Sequence, residues 1–194
     1  MSAELPIANV TDVTRTLRTA IAATASPFTG TEQVQDWGGA WWEYDIEFAI
    51  SRTAADGKKL AAFLAALGGK RGTFTFRDPF IRNPVSLGTP LVNGGGQTGN
   101  SLISDGWSKG MAAGDFIQLG SGSSTRLYQL TADFTPSAGN ATLQIIPPLR
   151  SATVNNEVIT VVSPGVLLRL NDPAPTRIGL GDFYRFSIKA REAI

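Results

Sequence analysis

Alternation of apolar and polar residues is the most regular feature of this chain, and it is clearest over residues 41–51. Successive side chains of a β-strand point to opposite faces of a sheet, so period-two alternation predicts a half-buried strand. One face of this strand carries Trp42, Tyr44, Ile46, Phe48 and Ile50. The opposite face carries Trp41, Glu43, Asp45, Glu47 and Ala49. We expect the apolar face to lie in the core.

Further strands are predicted before and after this one. Residues 10–25 are ambiguous, because apolar residues recur every four positions as in a helix while frequent threonines favour extended structure. We predict a strand there, and a separate strand over residues 32–37 that is closed by Gly38 and Gly39. The other predicted strands are residues 73–76, 116–119, 126–133, 141–146, 166–170 and 182–191.

One helix is predicted between these strands. Its apolar residues recur at i, i+3, i+4 and i+7 and are Leu60, Phe63, Leu64 and Leu67. Alanine, the best helix former, fills much of the remaining helix. Thr53 is the expected N-cap, and Gly68 with Gly69 is the expected C-terminal stop. A helix this short is not stable alone, so it must pack against a sheet.

The domain organisation follows from a change in composition. Residues 85–150 form short predicted strands, are rich in glycine and are nearly uncharged, which indicates a small inserted β-barrel or sandwich. Residues 182–191 alternate as residues 41–51 do, so we expect the chain to return to its first domain. The predicted fold is mainly β with one α-helix: a discontinuous β-sandwich or split barrel (1–84 and 151–194) with an inserted β domain (85–150).

Composition excludes several classes of function. The chain of 194 residues is 42% hydrophobic and 17% charged with a formal net charge of +1, which is untypical of disordered tails and strongly basic nucleic-acid binders. It contains neither Cys nor His, the usual zinc ligands, and no G-x-S-x-G motif. We therefore predict no enzymatic activity, no cofactor and no metal. The start of the chain lacks a signal-peptide pattern, and no apolar run approaches the ~20 residues of a membrane span.

Charged residues supply candidate sites. Glu43, Asp45 and Glu47 crowd one face of a strand, where they could bind a hard cation. An ion-paired face is the more ordinary outcome, because Arg185, Lys189 and Arg191 repeat at the same spacing on the last predicted strand. We expect an ion-paired ladder if the two strands are neighbours. Trp41 lies beside the acids, either at an interface or in a satellite core. Lys70 and Arg71 follow the helix, where cations complement its dipole, and could touch a neighbouring molecule.

Several motifs occur in a characteristic order: residues 37–48 (WGGAWWEYDIEF), 63–79 (FLAALGGKRGTFTFRDP), 93–107 (NGGGQTGNSLISDGW) and 114–150, which contain GD-x-IQLG, TAD and G-x-ATL-x-I-x-PPLR. Together they resemble a family of tail proteins from long-tailed bacteriophages of proteobacteria, related to gene-transfer-agent tails. Members of that family are described as distal tail proteins or minor tail proteins. The resemblance covers most of the chain.

This resemblance implies a structural protein of the virion, assembled in the host cytoplasm as a homo-oligomeric ring, typically a homohexamer, at the tail tip. The ring would join the tail tube protein to the hub and tip proteins, and the tape-measure protein and DNA would pass through it without specific binding. The interface or lumen candidates are Trp41, Glu43, Asp45, Glu47, Lys70 and Arg71. An acidic bore would repel DNA, but we favour the ion-paired ladder because it needs no assumption about assembly. The alternative function is a carbohydrate-binding module for host adsorption, with Trp107 as the saccharide platform and Tyr128 as its support.

Overall fold

The computed structural model describes residues 3–6, 10–51, 54–179 and 183–194, and this part of the chain is mainly β with one α-helix. The helix is α1 (Ala54–Ala66). In chain order the strands are β1 (Ala3–Glu4), β2 (Val10–Ala25), β3 (Glu32–Phe48), β4 (Thr73–Arg77), β5 (Gly88–Val92), β6 (Ser101–Trp107), β7 (Phe116–Leu119), β8 (Arg126–Leu130), β9 (Ala141–Ile146), β10 (Gly165–Leu170), β11 (Arg177–Gly179), β12 (Phe183–Arg185) and β13 (Ser187–Glu192).

The first sheet has the strand order β1-β4-β10-β13-β3-β2. Its pairs are antiparallel except for the short β1, which runs parallel to β4. The predicted inward face of β3 is confirmed, since Trp42, Tyr44, Ile46 and Phe48 are all buried. The neighbouring strands β2 and β13 alternate in the same way, so this part of the sheet packs one face into a core and turns the other to solvent. Strands β4 and β10 are largely buried on both faces.

Several predicted strand boundaries are wrong. The strand predicted to stop at Gly38 continues, and β3 runs unbroken to Phe48, where Ile50 lies beyond its end and is 45% exposed rather than in the core. The last predicted strand divides at Phe186 into β12, which pairs with β11, and β13, which pairs with β3. Its first predicted residue, Asp182, lies outside the described residues. The strand predicted to reach Asp133 ends earlier, as β8.

Helix α1 covers the first core, as its apolar stripe predicts. Leu60, Leu64 and Leu67 are buried, whereas Phe63 is half-buried and meets Phe74 edge to face, with ring centroids 6.1 Å apart. Gly68 follows the helix with φ 62°, a left-handed conformation that favours glycine and stops the helix there. Thr53, the predicted N-cap, lies outside the described residues.

The second sheet has the order β5-β6-β9-β8-β7 and encloses its own core. Its largest fully buried side chains are Leu102, Ile117, Leu130, Leu143, Ile145 and Ile159. The glycine-rich loop before β6 is held by Gln97, whose amide nitrogen lies 3.0 Å from the Asn93 carbonyl and 2.9 Å from the Gly94 carbonyl. The Gln97 side-chain oxygen accepts the Ile103 amide at 2.6 Å. This motif is therefore a loop built on one glutamine.

The two cores do not divide at the predicted positions 84 and 150. Phe116 and Leu127, from the predicted insertion, belong to the first core. Ile159 and Val161, beyond its predicted end, belong to the second core. The Asn83 side-chain amide, just before the segment, donates to the Val161 carbonyl, eleven residues beyond its predicted end, at 2.7 Å. The second sheet thus adds side chains to the first core.

A buried ion pair ties the two sheets together. The Arg150 guanidinium lies 2.6 Å from the Glu192 carboxylate, whose side chain is completely inaccessible to solvent. The same carboxylate oxygen accepts the backbone amide of Trp42 at 3.2 Å. The indole of Trp42 donates in turn to the Leu127 carbonyl of β8 at 3.1 Å. Removal of the arginine would leave a buried carboxylate with one weak partner.

We expect Leu64→Ala to lower the free energy of unfolding by about 2–5 kcal/mol, because it removes a buried side chain between helix and sheet. Lys58→Ala, on the exposed side of the same helix, should change it by less than about 0.5 kcal/mol. Urea denaturation of both variants provides the measurement. A similar small effect in both would show that the helix does not pack on this core.

We expect Arg150→Met to lower the free energy of unfolding by about 3–5 kcal/mol, because it leaves the Glu192 carboxylate buried without its cation. The double variant with Glu192→Gln should recover part of that loss, since the neutral amide needs no counter-ion. A double-mutant cycle measured by urea denaturation tests the pair. Additive losses in the double variant would mean that the two residues are not coupled.

Candidate functional site

The solvent-exposed face of the first sheet is rich in charge and contains the predicted acidic cluster. Asp45 on β3 lies directly opposite Lys189 on β13, and their charged atoms are 3.6 Å apart. Glu43 lies opposite Arg191 in the same register. The predicted cross-strand alignment of acids with bases is therefore confirmed for these two positions.

The strongest partner of Glu43 comes from the other neighbouring strand. Arg18 on β2 places its Nε 3.0 Å from one Glu43 oxygen, and the Trp41 indole donates to the other at 3.2 Å. The hydrogen bond from Arg18 is the main cause that lowers the pKa of Glu43 below its usual range, and the Trp41 indole adds to it. Trp41 is half-buried beside this carboxylate. The sequence analysis did not single out Arg18, although it lies on the same face of β2 as the exposed Thr14 and Thr16.

The predicted ladder fails at its third position. Glu47 lies opposite Ser187, and no cation of the described residues lies within 4.0 Å of its carboxylate. Arg185 lies on β12 instead, opposite Arg177, because the strand is interrupted at Phe186. The predicted ladder of ion pairs is therefore incomplete, because Glu47 has no partner in it.

Cross-strand partners share a face of a sheet, so the register assigns the charges of this surface. We call this surface the polar face. Its acids are Glu4, Asp12, Glu43, Asp45 and Glu47, and its bases are Arg18, Arg77, Arg169, Lys189 and Arg191. Five acids meet five bases, so the face is balanced rather than bare and acidic. The described residues contain no group of three or more Asp, Glu, His or Cys side chains arranged to hold a metal ion.

Lys70 and Arg71, the predicted interface cations, lie on a short 3₁₀ turn (Gly69–Arg71) directly before β4. Both side chains are exposed. The Lys70 ammonium lies 3.7 Å from Asp172, and both of these side chains remain largely in solvent. An ion pair of this kind contributes little stability, so the turn remains available for other contacts.

The structure contradicts the predicted saccharide platform. Trp107 is 4% exposed and packs edge-on against Phe134, with ring centroids 4.9 Å apart. Its indole donates to the Ser104 hydroxyl at 2.8 Å, which is why this polar ring can be buried. Tyr128 is 2% exposed, and its hydroxyl accepts the Arg150 amide at 3.2 Å. Neither ring presents a face on which a sugar could stack.

A two-stranded arm extends from the first sheet where β2 and β3 continue beyond it. We define the arm as residues 20–39. Residues 21–25 of β2 pair with residues 32–36 of β3, and the turn closes with the Ser26 amide bound to the Thr31 carbonyl at 2.9 Å. A register shift separates the arm from the rest of the sheet, and Gly38 takes φ 70° at this point. The shift lets β3 pass through the glycine pair that was predicted to end it.

The arm carries large apolar side chains in solvent. Phe28 is 95% exposed and Trp37 is 65% exposed, while Ile21 and Val34 are also largely exposed. None of these four side chains belongs to either hydrophobic core. Exposed apolar residues that occur singly are ordinary, but two aromatic and two aliphatic side chains on one short projection are typical of an interaction surface.

A second group of polar side chains is buried beneath the sheet. Asp78 is 2% exposed, lies 3.2 Å from the Arg15 guanidinium and accepts the Phe80 amide at 2.8 Å. Arg15 also lies over the Phe116 ring, 4.6 Å from its centroid. The Tyr44 hydroxyl is buried without a hydrogen-bond partner among the described residues. Burial raises the pKa of Asp78 above its usual range, opposed by the Phe80 amide and by Arg15.

Comparison with known proteins adds no assignment to this geometry. The chain matches no protein-family model, and no curated protein is significantly similar to it. No helix among the described residues is long and apolar enough to cross a membrane.

Asp78 should make stability depend on pH in a direction opposite to that of an ordinary salt-bridged carboxylate. Because its folded-state pKa is raised, its contribution is largest at low pH and is lost as pH rises through that pKa. Asp78→Asn removes this titration while it keeps an oxygen for the Phe80 amide. The difference in free energy of unfolding, variant minus wild type, should therefore increase from about pH 4 to neutral pH. Urea denaturation across this range tests the sign, and a decreasing difference would contradict it.

Proposed function

We propose that this chain is a structural subunit of a bacteriophage tail that forms a ring at the distal end of the tail tube and joins the tube to the hub and tip proteins. The motifs in residues 37–48, 63–79, 93–107 and 114–150 support the tail family. The exposed arm is the structural observation that carries the proposal, because it supplies a contact surface that the single chain does not use.

The arm supports a ring of identical subunits for geometric reasons. It projects from one end of β2 and β3 and has no counterpart elsewhere on the described chain into which its aromatic residues fold back. A contact between the arm of one copy and a different surface of the next copy is heterologous, and heterologous contacts close into rings when the rotation allows. Burial of Phe28 and Trp37 in such contacts would remove their apolar area from water.

The open edge of the first sheet adds a second possible contact. Strand β2 is the last strand of the sheet order, and it runs for 16 residues with no strand beyond it. An edge of this length exposes unpaired backbone groups that a neighbouring chain can bind. At the other edge, β1 is only two residues long. Ring closure would cover the long edge, which in a monomer remains open to solvent.

In this assembly, we assign the first sheet with α1 to a ring-forming split barrel and the second sheet to an inserted barrel on its outside. The polar face would line the bore, where alternating acids and bases offer no continuous charge to hold passing DNA. The other partners are the tail tube, hub and tape-measure proteins, as the sequence resemblance implies. The saccharide-binding alternative has no support, because its two aromatic residues are buried.

The arm should be necessary for assembly and dispensable for folding. We expect the purified chain to form rings, typically of six subunits, and the double variant Phe28→Ser and Trp37→Ser to be monomeric with an unchanged melting temperature. Val85→Ser with Val154→Ser removes two largely exposed apolar side chains outside the arm and should leave the rings intact. Light scattering gives the mass, and negative-stain electron microscopy gives the ring.

Two results would contradict the proposal. A wild-type chain that remains monomeric at high concentration would contradict the ring. Rings that persist in the arm variant would contradict the role of the arm in assembly. The unchanged melting temperature separates a lost contact from a misfolded subunit.

A further inference from the structure

We infer that a cationic pocket on the polar face binds an oxyanion of phosphate size. The pocket has a volume of about 230 Å³ and is lined by Lys70, Arg169, Leu170, Asn171 and Arg191. Three of its five lining residues are cations, and none is an acid. It lies where the end of β10 and the adjacent β13 meet the 3₁₀ turn (Gly69–Arg71), so three separate parts of the chain converge on it.

The two arginines form an unusual pair. Arg169 on β10 lies directly opposite Arg191 on β13, and like charges in this position are destabilising. Neither guanidinium lies within 4.0 Å of a carboxylate oxygen of the described residues. The Nε atom of Arg169 is buried and has no hydrogen-bond partner in that part of the chain. A bound anion would supply both the missing charge and the missing acceptor.

The acids nearest in register or sequence leave the two arginines of the pocket without an ion pair. Glu43, opposite Arg191, is held by Arg18 at 3.0 Å and by the Trp41 indole at 3.2 Å. Asp172 contacts Lys70 at 3.7 Å and is 81% exposed. On the neighbouring row, Asp45 pairs with Lys189 at 3.6 Å. The pocket therefore keeps an excess of positive charge that the rest of the balanced face does not have.

The side chains present select the chemistry of the ligand. A guanidinium carries planar, paired donors that match two oxygens of a phosphate, and an ammonium adds a point charge at the mouth of the site. The ligand is therefore a phosphate group, either free in solution or within the backbone of a nucleic acid. This inference concerns a single chain and stands whether or not the ring forms.

The first test is stabilisation by inorganic phosphate. We expect phosphate to raise the melting temperature of the wild type relative to chloride at equal ionic strength and pH, because a ligand that binds only the folded state stabilises it. Arg169→Gln should weaken the apparent affinity for phosphate about tenfold. In chloride alone the variant should melt no lower than the wild type, since it also removes a like-charge contact. A purely structural arginine would not behave in this way.

Two further variants control the test. Arg191→Gln repeats the phosphate measurement with a change at an exposed side chain. This variant keeps the test valid if Arg169→Gln disturbs folding. Arg82→Gln removes another exposed arginine that makes no ion pair in the described residues, and it should respond to phosphate as the wild type does. The site would be overturned if the wild type had the same melting temperature in phosphate and in chloride. It would also be overturned if Arg82→Gln and Arg169→Gln lost phosphate stabilisation to the same extent.

Fluorescence anisotropy with a labelled DNA duplex distinguishes the two sources of phosphate. Binding that is lost in Arg169→Gln and displaced by phosphate identifies a backbone phosphate as the ligand. Phosphate-dependent stabilisation without duplex binding identifies a free anion. Binding of an acidic peptide without any effect of phosphate would overturn the inference in favour of a protein carboxylate.

Discussion

The carboxylate of Glu192 cannot be hydrated, because its side chain has no access to solvent, and the position of the second sheet follows from that constraint. A buried charge of this kind is tolerated only with a close cation and hydrogen bonds. Arg150 supplies the cation from the far end of the segment that carries the second sheet, and Trp42 supplies a backbone donor from the first sheet. Because the indole of Trp42 also binds Leu127, one tryptophan contacts both sheets through separate donors. The contact is polar and directional, so it fixes the relative orientation of the two sheets in addition to holding them together.

The two faces of β3 in the first sheet have different roles, because one forms the core and the other carries charge. Inward residues of β3 bury their aromatic rings in the first core, where Trp42 meets Phe116 and Tyr44 meets Phe76, while outward residues of the same strand carry the acids. On the outer face part of the charge is neutralised across strands, as between Asp45 and Lys189. The register also places like charges opposite each other on this face, Arg169 with Arg191 and Asp12 with Glu47. What distinguishes the two arginines is the pocket that they line with Lys70, and this pocket identifies a site rather than a general affinity for anions.

The sequence predicted those elements whose signal is local. The apolar residues of β3 and of α1 each recur at a regular spacing within one segment. That spacing identified the first segment as a strand and the second as a helix. It could not predict that β3 continues through Gly38, because the register shift that accommodates the glycine involves β2 as well. Nor could it predict that Trp107 is buried, since burial depends on the Ser104 hydroxyl being in reach of the indole.

Most contacts that depend on register lay beyond sequence reasoning, although the alignment of Asp45 with Lys189 was predicted. The pairing of Glu43 with Arg18, and of Arg169 with Arg191, follows from which strands are neighbours and how they are aligned. The end of the second core past position 150 has the same origin, because Ile159 and Val161 return to that core after β9 without forming a long strand themselves. Local patterns thus gave most elements, whereas the candidate site required the sheet order.

The small side chains of the arm have a consequence for its dynamics. Ala22, Ala23 and Ala25 on one strand offer the opposite strand little to interlock with, so side chains specify the alignment only weakly. The alignment is fixed instead at two ends, by the turn at Ser26 and by the register shift beside Gly38. With no core beneath it, such a ribbon opens at a small fraction of the free energy of global unfolding, and its amides should exchange with solvent long before those of β13. In the ring that we propose, the arm would therefore enter as an adaptable strand pair, and the surface that receives it would set its final shape.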